Sequence, residues 1–220
     1  YMILLKVITM KDNNLAYDIL KEIFNIGVGK AADMLSQMVN KKILLNVPSI
    51  KVIGVNNDDI SLDKYFNKGI KGTLMVSSIS FQEEINGEAN LIFPADKMRN
   101  IINFCIEEEE SSANEDLDFT DIDFDIIREI GNIILNSIIG EIGNFLDVNL
   151  EYTLPSVKIF KVIDFEEGIK NREDMHSLLL SISFIIDDTE IEGAVIINFT
   201  INSLKDVMEI VKKMEEGLYG

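Results

Sequence analysis

The chain has one cysteine, one histidine, three prolines and no tryptophan, and its 20 basic residues are outnumbered by 38 acidic ones. Each shortage removes a class of protein. A lone cysteine, Cys105, cannot build a disulfide framework and suits a reducing compartment, so the chain reads as cytoplasmic, with the thiol packed in a closing helix. The lone His176 has no companion ligands, so no metal site is expected, and it reads as a surface or hairpin-start residue. A net charge of -18 leaves no concentrated Lys and Arg surface, which argues against nucleic acid and against docking on anionic lipid. Long apolar runs are also missing. Met2-Ile3-Leu4-Leu5 is broken by Lys6, too short for a signal-peptide core and far short of a bilayer span. Gly27-Val28-Gly29-Lys30 is followed by Ala31 and lacks the spacing of a phosphate loop.

What is present is a polar signature made twice. Asp18, Glu22 and Asn25 are followed, after 22 intervening residues, by Pro48, and Asp125, Glu129, Asn132 and Pro155 repeat the pattern 107 positions later. The copying extends further. Val47-Pro48-Ser49-Ile50-Lys51-Val52 parallels Leu154-Pro155-Ser156-Val157-Lys158-Ile159, and Ser78-Ile79-Ser80-Phe81 parallels Ser181-Ile182-Ser183-Phe184. Gly87 and Phe93 correspond to Gly193 and Phe199. Two copies of a long unit point to a fused pseudo-dimer. With 47% hydrophobic residues the chain can bury a proper core as a single domain of two repeats, about 12–106 and 119–217. Between them, residues 107–118 hold seven acidic residues and no basic one, which reads as a solvated linker.

Each half follows the same order. A long helix is predicted from Asn14 to Val39 and from Asp121 to Leu146. Extended segments rich in β-branched residues follow, Ile43 to Gly54 and Val148 to Ile163. A hairpin comes next, Gly72–Phe81 with Ala89–Phe93 and Ser177–Ile186 with Gly193–Phe199, around polar turns at Gln82–Gly87 and Asp187–Glu192. A shorter helix closes each half from about Ala95 and Ser203, the latter with a capping box to Asp206. The fold class is α+β: pseudo-two-fold, duplicated α-β-β-β-α halves, with two long signature helices lying against β-sheet structure from both halves.

At 100° per residue, Asp18, Glu22 and Asn25 fall at about 0°, 40° and -20°, a stripe roughly 60° wide. Gly29, Ala32 and Ser36 continue it, and the small residues would let a partner approach closely. The other side carries Leu20, Ile23, Leu35 and Met38, suited to a core. On the second helix Asn136, Ile139 and Gly143 continue the stripe, so bulk at Ile139 is expected to hinder docking and make the two sites unequal. A carboxamide can hold a water by donating and accepting at once. Orienting a water for in-line attack on phosphorus needs little more, provided the substrate brings its own metal and charge stabilisation. A carboxylate can grip a cation on that substrate. Solvated polar residues are the usual content of an outer helix face, but duplication at identical spacing favours a functional role. Asp18 and Asp125 also suit the positive end of a helix.

The pattern D-x3-E-x2-N-x22-P resembles the signature of the CheC/CheX/FliY phosphatases of bacterial and archaeal chemotaxis. Asn25-Ile26-Gly27-Val28-Gly29-Lys30-Ala31-Ala32 also resembles that family's N-I-G-x-G-x-A-A run. Two signatures in one chain are similar to the CheC branch; a single signature would suit CheX, and the chain is not expected to carry the extra C-terminal domain of FliY. The resemblance implies hydrolysis of the aspartyl phosphate of a CheY-like response regulator. Glu22, Asn25, Glu129 and Asn132 would be catalytic: each Asn orients the attacking water and each Glu contacts a lysine of the regulator. Asp18, Pro48, Asp125 and Pro155 would support them, and Gly29, Ala32 and Ser36 would meet the partner. No cofactor of its own is implied, since the regulator holds the Mg²⁺. The deamidase CheD is a further implied partner. The competing class is a non-catalytic scaffold that binds a regulator, CheD or a chemoreceptor, and a flagellar-motor component is a third.

Overall fold

A computed structural model describes residues 15–53, 61–62, 72–106, 118–170, 175–186 and 189–218. The elements are α1 (Leu15–Val39), β1 (Ile43–Ile53), β2 (Thr73–Glu83), β3 (Gly87–Pro94), α2 (Ala95–Ile106), α3 (Asp121–Leu146), β4 (Leu150–Tyr152), β5 (Ser156–Lys161), α4 (Val162–Lys170), β6 (Met175–Ile186), β7 (Thr189–Thr200) and α5 (Ile201–Leu218). The acidic stretch 107–117 lies outside the described residues. Among those described, no helix is long and apolar enough to cross a membrane.

All strand pairs are antiparallel and form one seven-stranded sheet, ordered β1-β6-β7-β3-β2, with β4 and β5 both on the free side of β2. The order reads the same from either end when corresponding strands are exchanged: β1 for β5, β2 for β6, β3 for β7. Each half lends its first strand to the other half's hairpin, so neither half completes its sheet alone. Period-two alternation sends the side chains of β2 to opposite faces. Met75, Ile79 and Phe81 join the large core beneath α1, α3 and α5. Leu74 and Val76 join a smaller core with Phe165 and Ile169 of α4.

The matched Gly and Phe positions of the repeat have a packing cause. Phe81 meets Phe199 edge-on with ring centroids 5.7 Å apart, and Phe93 meets Phe184 at 6.3 Å. A Cβ on Gly87 would lie 2.4 Å from the Phe81 ring, and one on Gly193 would lie 2.4 Å from the Phe93 ring. Each glycine thus makes room for one aromatic of a pair.

Helices α1 and α3 bury apolar residues at three- and four-residue spacing, Leu20, Phe24, Val28, Ala31 and Leu35 in one and Ile127, Ile130, Ile134, Ile138 and Ile142 in the other. Helix α3 begins at a complete capping box. Asp123 N donates to Thr120 Oγ1 at 3.3 Å and Thr120 N donates to Asp123 Oδ2 at 2.7 Å. Arg99 of α2 donates to the same carboxylate at 3.0 Å. Burial pushes the Asp123 pKa up, but the hydrogen bonds from Thr120 and Arg99 outweigh it and hold it below 3.8. Replacing this buried carboxylate, Asp123→Asn, is expected to cost about 2 kcal/mol at neutral pH. A depressed carboxylate pKa stabilises the fold above its unfolded value and loses that contribution as pH falls through its folded value. The gap between variant and wild type in chemical denaturation should therefore close as pH drops below 3.8.

Several boundaries differ from the sequence reading. The second extended segment breaks into β4 and β5 and ends at Lys161, where α4 begins, because Phe165 and Ile169 find an apolar sheet face to cover. Helix α5 starts at Ile201, and no capping box forms at Ser203. Thr200 Oγ1 accepts the Ser203 N–H at 3.3 Å, while Ser203 Oγ accepts from Asn86 N at 2.8 Å. Strand pairing shortens both hairpin turns: β2 runs on to Glu83, β3 opens at Gly87 and β7 opens at Thr189. Met38 is exposed rather than core-facing: Leu35 and Val39 on either side of it are buried, and Met38 lies off the face of α1 that they share. His176 is buried where β6 pairs with β7, and burial together with Lys205 lowers its pKa. Cys105 is half-buried in α2 as expected, with burial raising the thiol pKa to about 11.

Candidate functional site

Helix α1 is stitched to β1 by three side chains. Tyr17 Oη accepts from Ile50 N at 3.3 Å, Asn25 Oδ1 from Val47 N at 2.9 Å, and Ser36 Oγ from Ile43 N at 2.9 Å. Val47 is free to donate because β1 bulges there: Asn46 pairs with Ser183 and Ser49 with Ser181, so Val47 and Pro48 face only one residue of β6. A bulge leaves a backbone donor outside the ladder. Pro48 follows with no N–H to orphan. In the first copy this ties the distance from Asn25 to Pro48, since one inserted residue would remove the donor from the carboxamide.

A backbone N–H can only face an oxygen, so the bond to Val47 sets the orientation of the Asn25 amide. Its Nδ2 makes no hydrogen bond among the described residues and is left as the outward donor on a half-buried side chain. Glu22, one turn earlier, is exposed and has no ion pair among the described residues. Asp18 is exposed in the first turn of α1. Gly29, one turn after Asn25, has open space where a Cβ would stand.

Two members of the proposed docking stripe do not line a surface. Ala32, about five turns into α1, is buried in the large core. Ser36 is half-buried and occupied with the N–H of Ile43 and the carbonyl of Ala32. The accessible part of the stripe is Asp18, Glu22, Asn25 and Gly29.

The second site has the same residue types in a different arrangement. Glu129 is exposed, and Asp125 is paired with Arg128. Asn132 Oδ1 accepts from Asn136 Nδ2 at 2.7 Å and makes no bond to a strand. The backbone bulge recurs: Phe81 pairs with Tyr152, Ser78 with Ser156, and Thr153 N donates to Ser80 O at 3.0 Å. Leu154 and Pro155 therefore correspond to Val47 and Pro48, but they face the other way. Val47 is 1% exposed and Leu154 91%; Pro48 is exposed and Pro155 buried. The other two stitches are also missing, since Phe124 and Gly143 stand where α1 has Tyr17 and Ser36. Ile139 is fully buried, so its bulk does not hinder an approaching partner. Tyr17, Ser36 and Asn136 were not singled out for these roles by sequence; comparing the two copies position by position would have found all three.

These features define an α+β fold, one antiparallel sheet of two related halves, with a helix-borne Glu and Asn at each of two related positions. Residues 15–52 match the CheC-like family. Over 149 residues the chain is 27% identical to the CheY-P phosphatase CheC of Bacillus subtilis (strain 168), covering 64% of this chain and 65% of that protein. Its fold is similar to that of Thermotoga maritima FliY, with a TM-score of 0.70 at 17% identity over 93% of this chain and 98% of that one. The FliM middle domain of H. pylori is also similar, with a TM-score of 0.59 at 10% identity over 91% and 99% of the two chains. The resemblance carried by the signature is thus met again in the wider sequence and in the architecture.

Proposed function

We propose that the chain hydrolyses the aspartyl phosphate of a CheY-like response regulator in the cytoplasm, as one domain of two repeats. The observation that carries this is the Asn25 carboxamide, locked by the Val47 N–H with its Nδ2 turned outward beside an exposed Glu22 that has no ion pair among the described residues. A donor fixed in this way holds a water on one of its lone pairs and leaves another aimed at phosphorus, and the second lone pair of Oδ1 can accept from the same water. The water oxygen bonds to phosphorus, the bond to the aspartate oxygen breaks, and inorganic phosphate and a free carboxylate result. The regulator's Mg²⁺ and lysine stabilise the charge on the phosphoryl oxygens. Glu22 contacts that lysine and aligns α1 with the regulator. CheD is a further partner under this reading.

A second reading is a scaffold that binds a regulator without turning it over; similar folds are seen in protein complexes, FliM with FliG and FliM with SpeE from H. pylori. Phosphate release from a phosphorylated regulator, with the protein substoichiometric, separates the two. A phosphatase gives many turnovers per chain; a scaffold leaves the phosphoryl lifetime unchanged or longer.

A further inference from the structure

The second signature departs from the first at the residue one turn beyond its asparagine: Gly29 in α1, Asn136 in α3. We infer that Asn136 holds the second site closed, as a positioning residue acting on Asn132. The inference rests on the phosphatase reading of the signature and concerns how its second copy is controlled.

The amide of Asn136 takes the place that the Val47 N–H occupies on Asn25. It donates to Asn132 Oδ1 at 2.7 Å, so the carboxamide answers to a neighbour on its own helix and not to the strand that carries the proline. Its side chain also starts from the position left open at Gly29. The arrangement is one a competitor can displace. Asn136 Oδ1 is buried without a partner, and an orphaned acceptor carries a free-energy cost that the closed state retains. The fold supplies the competitor. Leu154 occupies the bulge position equivalent to Val47, its N–H has no partner among the described residues, and its side chain is 91% exposed. Turning the bulge inward would bury that side chain and present the Leu154 N–H to Asn132, reproducing the first site. In the closed state Asn132 lacks the strand contact that fixes the direction of its Nδ2.

The test is regulator dephosphorylation in an Asn25→Ala background, where turnover comes from the second site alone. Asn136→Gly and Asn136→Ala should each raise the residual rate about fivefold, the factor that one net hydrogen bond of ordinary strength represents. The alanine variant keeps helix propensity, so a folding defect in the glycine variant does not decide the result. Asn136→Asp should give no rise, because its carboxylate can only accept and would tie up Asn132 Nδ2. Adding Asn132→Ala should abolish every gain. A residual rate unmoved by Gly and Ala, or raised as much by Asp, overturns the inference. An activity-independent readout accompanies it: Asn132→Ala should speed hydrogen exchange of the Asn136 side-chain amide, and unchanged exchange also overturns it. Full wild-type turnover in Asn25→Ala/Asn132→Ala would instead bring down the phosphatase reading itself.

Discussion

Removing both carboxamides, Asn25→Ala with Asn132→Ala, should lower regulator dephosphorylation about 100-fold, the scale on which misplacing a reacting group acts. The remaining rate would be close to that of the regulator's own hydrolysis. The single variants should be unequal. With the second site running about fivefold below the first, Asn25→Ala lowers the rate about sixfold and Asn132→Ala by less than about a fifth. The inequality has a structural source. Tyr17, Asn25 and Ser36 fasten α1 to β1, so the first carboxamide is oriented before a partner arrives, and preorganised donors lose nothing to rearrangement during the reaction. At the second site the same amide is bonded to Asn136. Glu22→Ala should act differently. It removes a contact to the partner and leaves the water-orienting amide in place, so the regulator concentration needed for half-maximal rate should rise more than the maximal rate falls. Steady-state turnover over a range of phosphorylated regulator checks all of these. Equal losses from the two single Asn variants would count against the unequal preorganisation of the sites.

The largest effect on stability is expected from Gly131→Ala. A Cβ there would stand 2.1 Å from Ser77 Oγ and 2.6 Å from Ser77 Cβ, so α3 must move off the sheet or β2 must yield. Such overpacking costs about 3 kcal/mol. The position is informative because its counterpart in α1 is the fully buried Phe24; the first helix fills its gap to the sheet with a ring, and the second closes it by contact. Gly131 also adjoins Asn132, so a displaced α3 carries the second site with it. Ser77 Oγ is itself buried without a partner, and Ser77→Ala should be neutral or slightly stabilising, since it removes a desolvated hydroxyl. Ser77→Gly removes both clashing atoms and should recover part of the loss in the double variant. A thermodynamic cycle by chemical denaturation measures that coupling. Additive losses would show that Ser77 is not what Gly131 accommodates.

Much of this architecture was legible in one dimension. The long helices, the two hairpins and the outward-facing Glu and Asn follow from apolar periodicity and from a pattern made twice. The proline at a fixed distance signalled a constrained joint, though not that the constraint is one backbone N–H released by a bulge. The short helix α4 was hidden in a β-branched run, because its helical face is justified only by the sheet surface it covers. Ala32 looked like a contact surface on the wheel, but a helix packed along a twisted sheet does not keep one stripe exposed over its length.

The order of residues alone singled out the side chains to which the proposed chemistry is assigned, that there are two sets of them and which helices present them, since spacing along a regular helix is a local property. Tertiary structure decided how each carboxamide is held. Hydrogen-bond partners come from whichever backbone lies alongside, and two nearly identical signatures met different neighbours: a bulge turned inward at Val47 and one turned outward at Leu154.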